Sequence, residues 1–349
     1  MNITVLLTFL TTFTLTSAHQ NFRVQKWITA LSVILFAAKL VAYYLTHSLA
    51  ILSDALESIV NVIAGIIGLY SLYVVTKPRD TDHPYGHGKA EFISAAAEGA
   101  LIVAAGILIA YETAINIIQH NVIQSLDNGL ILVAATALIN YAAGFICIKI
   151  GRKNKSLALQ ASGKHLQIDT YSTLAIIAGL VIILFTHQYW LDKALAICMS
   201  IFIIYSGYKI IRQSLAGIMD EADIELLGKM ITLLNDNRRA NWIDLHNLRV
   251  IKYGSLLHID CHLTLPWYLN LRESHIEIDA LGELIKKEFG NTMEMFVHTD
   301  GCEPTGCPIC IKTDCSVRQH PNEKRIHWTL QNVIVNKRHE IDTPSALPK

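Results

Sequence analysis

Two stretches of this sequence set metal-ligating side chains inside long apolar runs. In Ser162–Thr170, His165 and Asp169 stand four apart, and the apolar run behind them continues to about Phe185. On a helix, such a pair lies one above the other on one face. An earlier apolar run holds Glu57 and Asn61, again four apart, with Asp54 one turn before. Ionisable groups at membrane depth are costly and face a partner or a water-filled path. Two such pairs on two hydrophobic helices point to one intramembrane site for a divalent cation. Glu57 and Asp169 supply two negative charges, His165 a neutral nitrogen and Asn61 a neutral carbonyl oxygen. That set balances a divalent ion in a low dielectric. It also implies coupling, because an ion leaves a buried pair of carboxylates readily only if protons replace it. Imidazole ordinarily titrates near physiological pH, so His165 is a candidate proton carrier. The alternative for the earlier run is a polar seam of Asp54, Glu57, Ser58 and Asn61 that joins helices by hydrogen bonds.

Two further clusters carry ligand chemistry. In the polar stretch Lys77–Glu91, Asp80, His83 and His87 are spaced to hold an ion; the alternative is a turn with two solvated histidines. Near the C-terminus Cys302, Cys307, Cys310 and Cys315 form a C-x4-C-x2-C-x4-C pattern with Pro304, Gly306 and Pro308 between. In a reducing cytosol this spacing favours a metal knuckle for zinc or a related soft ion over disulfides. Redox thiols and a packing loop are the alternatives. Cys147 and Cys198 lie in apolar runs and read as packing residues.

The elements that must position these groups follow from composition. The chain is 52% apolar and 17% charged, too apolar for a typical soluble domain. Lys+Arg and Asp+Glu are both 29, so net charge names no partner. Charges are sparse before about residue 210 and dense after it, which separates a membrane half from a soluble half. Six runs are long enough to span: 27–46, 50–75, 92–118, 128–150, 165–186 and 190–212. Loop cations alternate. Arg23 and Lys26, then Lys77, Arg79 and Lys89, then Arg152, Lys153, Lys155 and Lys164, then Lys209 and Arg212 fall on one side. This puts both termini in the cytoplasm. Residues 1–19 look like a weak signal peptide, but the loop charges argue for an interfacial or disordered extension. Lys39, in the first span, is expected to snorkel or pair with a carboxylate.

In the soluble half, 223–235 reads as a helix, and 246–252 and 256–265 alternate as half-buried strands. Residues 272–289 read as an amphipathic helix with Ile276, Ile278, Leu281, Leu284, Ile285 and Phe289 inward. Residues 293–298 form a third strand, and a short helix near 322–334 precedes a polar tail to which no function attaches. His258, Asp260 and His262 share one strand face.

HPYGHGKAE at 83–91, HxxxD at 165–169 and the His/Asp pattern of the tail resemble the cation diffusion facilitators, over nearly all of residues 25–300. These are six-helix divalent-metal/proton antiporters that work as homodimers. The resemblance implies an α-helical membrane protein with six transmembrane helices and a small cytoplasmic α+β domain of metallochaperone-like α-β-β-α-β order. The expected divisions are an extension at 1–24, a transport domain at 25–215, a metal-binding dimerisation domain at 216–300, and a Cys-rich segment and tail at 301–349. It further implies transport ligands at Glu57, Asn61, His165 and Asp169, and a loop site at Asp80, His83 and His87. Cytoplasmic ligands are implied at His246, His262, His275, His298 and Asp300, and a dimer-fixing salt bridge between Lys89 and Asp220.

Glu57 and Asn61 depart from the family's usual Asp or His, then Asp. A site richer in oxygen tolerates iron(II), manganese, cobalt or cadmium as well as zinc, the first choice. The expected activity is efflux of that ion by proton antiport, with Zn2+ or a similar ion also regulatory and protons as counter-ion. The expected partners are a second copy, the lipid bilayer and divalent metals, not nucleic acid, in a bacterial inner membrane. The alternative is a membrane-anchored metal sensor or store. An enzyme is not expected, because the sequence has no nucleophile–base set, phosphate loop or cofactor fingerprint.

Overall fold

A computed structural model describes residues 3–46, 49–119, 129–186, 190–254, 256–290 and 293–341. The chain divides into two compact units, Met1–Met219 with Tyr253–Ser255, and Asp220–Lys252 with Leu256–Lys349.

The first unit holds six long helices: α1 (Ile3–Thr46), α2 (Leu49–Val75), α3 (Ala90–Gln119), α4 (Gly129–Lys153), α5 (Leu157–Thr186) and α6 (Trp190–Ile218). Among the described residues, Ser17–Val41, Ser58–Val75 and Ala90–Ile115 are long and apolar enough to cross a membrane. α1 is the departure from expectation. It contains neither Gly nor Pro, so nothing breaks it, and residues 3–24 continue the first span as one helix. At 1.5 Å per residue it is about 66 Å long, twice the hydrocarbon thickness.

α3 packs on α6, α4 on α5, and α1 on α2. Glycines permit the closest approaches. A Cβ on Gly163 of α5 would meet the Gly144 carbonyl oxygen of α4 at 2.8 Å, and one on Gly144 would meet the Gly163 oxygen at 2.7 Å. Small residues at such crossings let helix backbones touch. Lys39 of α1 donates to the Ser58 hydroxyl of α2 at 2.7 Å.

The second unit comprises α7 (Ile224–Asp236), β1 (Asp244–Tyr253), β2 (Leu256–Leu265), α8 (Leu271–Phe289), β3 (Met293–Gly301) and a last turn of helix, α9 (Leu330–Val333). The sheet order is β1-β2-β3, and β2 runs parallel to β3 with His262 opposite His298. Alternate residues of β2, among them Leu257, Ile259, Cys261 and Leu263, meet Leu227, Met230 and Leu234 of α7 and Leu281 and Ile285 of α8 in one core. Asp223 caps α7 by accepting from the Leu226 amide, and Asn270 and Glu273 cap α8 reciprocally.

Two expectations fail here. Ile276 is exposed and Glu277 is buried in its stead, because Asn241 donates to one Glu277 oxygen at 2.8 Å and Arg239 lies 3.2 Å from the other. The helix expected near 322–334 is reduced to α9, because Trp328 is held in extended backbone. The Asn235 amide donates to the Trp328 carbonyl and accepts from its N–H, and the Arg238 guanidinium stacks on the indole at 4.1 Å. Trp328, Leu330 and Val333 of this stretch therefore join the core.

Candidate metal centre

The intramembrane candidates sit on α2 and α5. The start of α5 is fixed first. Ser156 accepts from the Leu159 amide, and Glu91 of α3 accepts from both the Ser156 hydroxyl and the Ala158 amide. A carboxylate at the positive end of a helix steadies it. From this anchor α5 carries His165 and Asp169 along the α4 contact, where Thr170 donates to the Ala137 carbonyl.

His165 Nε2 stands 4.0 Å from Asp169 Oδ1, and Asn61 of α2 donates to Asp169 Oδ2 at 2.5 Å. Three ligand-type side chains from two helices thus meet. His165 is buried, and among the described residues its Nδ1 has no hydrogen-bond partner. A buried polar atom left unpaired is costly, and a bound cation or a proton relieves such cost. Asp54 and Glu57 lie on α2, but their side chains lie outside the described residues.

The loop between α2 and α3 brings Asp80, His83 and His87 together. His83 Nδ1 is 2.9 Å and His87 Nε2 3.4 Å from the two Asp80 oxygens. The hydrogen bond from His83 holds the Asp80 carboxyl below its ordinary value.

In the second unit His246, His262 and Asp300 converge, their ligand atoms within 4.8 Å of one another. Asp300 Oδ2 is 3.6 Å from His246 Nε2 and 3.3 Å from His262 Nδ1, and its Oδ1 is 3.5 Å from His298 Nε2. The strand register explains this: His262 faces His298, and Asp300 is one step further along the same face of β3. His275 stands apart on the exposed side of α8, 3.8 Å from Asp279. His258 lies four ladder pairs before His262 on β2, between Asp260 and Glu294. The four clustered cysteines are free thiols that line a common cavity.

Asp244, its tail neighbours and a buried acid of α3 escaped the sequence reading. Asp244 lies 3.2 Å from His246 and also accepts from His339, while Arg338 reaches Asp300 at 3.2 Å. Burial alone would raise the Asp244 carboxyl, but the hydrogen bonds from His246 and His339 outweigh it and hold it well below the carboxylate range. Asp244 opens a strand next to a buried tryptophan, a weak signal; the tail residues gave none. The acid of α3 is Glu98, fully buried one heptad after Glu91, so on the same face. It accepts from Ser162 at 2.8 Å, while its Oε2 and the nearby Gln25 Oε1 have no hydrogen-bond partner among the described residues. An acid inside an apolar run was the available signal.

Ligand-type side chains sealed between long apolar helices belong to membrane proteins that carry ions. Residues 26–219 match the cation efflux transmembrane domain and residues 231–302 the cytoplasmic domain of cation efflux proteins. The chain belongs to the cation diffusion facilitator family. It is 28% identical to an uncharacterized transporter of Synechocystis over 82% of this chain and 88% of that one. It is 25% identical to the cation-efflux pump FieF of Shewanella oneidensis, covering 79% and 93% of the two chains. It is also 25% identical to the manganese efflux system protein MneP of Bacillus subtilis, covering 77% and 92%. The chain is a multi-pass membrane protein of a divalent-metal efflux family.

Proposed function

We propose that this protein exports a divalent transition metal from the cytoplasm in exchange for protons, with Glu57, Asn61, His165 and Asp169 as the carrying site. The observation behind this reading is the meeting of Asn61, Asp169 and His165 from two helices around a buried imidazole with an unpartnered nitrogen. Proton exchange fits because the site must be neutralised once the ion has left. Both termini are cytoplasmic, and the membrane is a bacterial inner membrane.

Zinc is the first candidate. The relatives' names include manganese efflux, and Asn61 makes the site poorer in charge, so iron(II), manganese, cobalt and cadmium belong in the same test. His246, His262, Asp300 and His298 would bind regulatory ions in the cytoplasmic domain, with His275 joining from elsewhere in a homodimer. Lys89 and Asp220 would pair to fix that dimer, and Asp80, His83 and His87 would gather ions at the membrane face. The role is transport and not catalysis.

Uptake of each metal into proteoliposomes under an imposed pH gradient tests the reading. Gradient-dependent uptake of at least one metal, with the preference altered in Asn61→Asp, is the expected result. A protein that binds metal and moves none would be a membrane-anchored sensor or store.

A further inference from the structure

The segment after β3 is built in a way that transport does not explain. Between Cys302 and Thr329 its regular structure is one short 3-10 helix, Pro304–Ile309. Its local core is small: Ile243, Ile309 and Cys310, with Cys302, Ile326 and Ile341 packed against them. So few apolar side chains do not hold a long irregular segment, and small irregular modules ordinarily need a staple. Yet this segment delivers Trp328 into the main core and the Arg338 guanidinium to Asp300.

The four cysteines line one cavity of this segment. Cys302 follows β3 directly, and its amide extends the ladder by donating to the Leu265 carbonyl at 2.8 Å. Cys307 and Cys310 flank the end of the 3-10 helix, and Cys315 returns from the next loop. All four line the same cavity together with Lys312 and Arg318. The Cys307–Cys310 turn is held by several hydrogen bonds. Its closing bond runs from the Cys310 amide to the Cys307 carbonyl at 3.2 Å. Arg318 donates to the Cys307 carbonyl at 3.0 Å and the Cys310 carbonyl at 3.1 Å, and Asn322 donates to the Cys310 carbonyl at 3.0 Å. These bonds fix the turn that carries two of the four thiols lining the cavity. Outer-shell clasps of this kind orient metal ligands.

We infer that Cys302, Cys307, Cys310 and Cys315 bind one zinc ion as a tetrathiolate, a structural site separate from the transport site and from the His246–His262–Asp300 cluster. Among the described residues, the groups of three ligands within 4.8 Å do not include these cysteines, so zinc draws the sulfurs inward. A tetrahedral site with Zn–S of about 2.3 Å requires S···S near 3.8 Å. As the four Zn–S bonds form, four S–H bonds break and four protons leave to solvent. The resulting site carries a net charge of about −2, which Lys312 and Arg318 on the cavity wall offset. Occupancy would lock the end of β3 two residues beyond Asp300, and with it the Arg338 bridge between Asp300 and Glu303.

Cobalt(II) titration of the full-length, metal-stripped, reduced protein in detergent tests this. Cobalt bound by thiolates gives charge-transfer absorption in the near ultraviolet and intense visible bands that oxygen and imidazole ligands do not. Wild type should take up one such ion per chain, displaced by zinc. The Cys307→Ser/Cys310→Ser double variant should lose this absorption entirely, whereas His165→Ala and His262→Ala should keep it. Absence of the thiolate bands from fully reduced wild type overturns the proposal, and so does their survival in the double cysteine variant. The readout involves no transport, so it stands or falls apart from the antiport reading.

Discussion

The α4–α5 crossing gives a quantitative handle on how the transport site is positioned. In Gly163→Ala the new methyl would meet Cys147 Cβ, the Gly144 carbonyl oxygen and Ile148 Cγ1, each at 2.8 Å. Ordinary contact begins near 3.4 Å, so α4 and α5 must part by about 0.6 Å. None of the three is the free end of a flexible chain, so the strain cannot be shed by one rotamer. Overpacking of this kind costs about 1–3 kcal/mol. That corresponds to a fall of roughly 2–12 °C in the melting temperature of a unit this size. His165 lies two residues further along α5, so metal transport should fall with stability. Gly228→Ala is the control, because a Cβ there meets nothing within 4 Å and replaces a mid-helix glycine of α7. It should gain about 0.5–1 kcal/mol. Melting in detergent and initial uptake rates in proteoliposomes report both quantities. Gly144→Ala should combine non-additively with Gly163→Ala, since each glycine meets the other's carbonyl. A Gly163→Ala protein that melts and transports like wild type would refute the packing argument.

Three further perturbations follow from named contacts. Trp328→Ala should destabilise the cytoplasmic unit by about 3–5 kcal/mol, seen by denaturant melting, because the indole is buried beneath Arg238. Asp223 is both the α7 cap and a partner of Lys252; burial would raise its carboxyl, but Lys252 and the Leu226 amide outweigh it and lower it. A lowered carboxyl stabilises the fold above its unfolded value and loses that contribution as pH falls. Melting should therefore worsen below about pH 4, less so in Asp223→Asn. Glu98→Gln should melt at or above wild type, because an amide keeps the Ser162 hydrogen bond and puts a donor in place of the Oε2 that has no partner among the described residues, near Gln25 Oε1. A clear loss of stability would show that the carboxylate itself is required.

What the sequence disclosed and what it withheld divide along physical lines. Period-two alternation marked β1 and β2 because their alternating apolar residues, Leu248 and Val250, then Leu257, Ile259, Cys261 and Leu263, enter one core, and long apolar runs marked the membrane helices because lipid leaves few alternatives. Local pattern went astray where a distant partner decides burial. Glu277 is inward only because Asn241 and Arg239 receive it, and the stretch before α9 is extended only because Asn235 and Arg238 hold Trp328. At the membrane site, helical spacing gave the His165–Asp169 pair, but which residue of α2 meets Asp169 depends on helix packing. The tail contacts of Arg338 and His339 span more than thirty residues of chain and leave no periodic trace.

The most direct test of the central claim is simultaneous measurement of metal uptake and internal pH in proteoliposomes containing wild type or His165→Ala. The account predicts that wild type moves protons outward as the metal enters, that collapsing the gradient stops net uptake, and that His165→Ala abolishes both fluxes while the protein stays folded. Undiminished, gradient-driven metal flux through His165→Ala would contradict it.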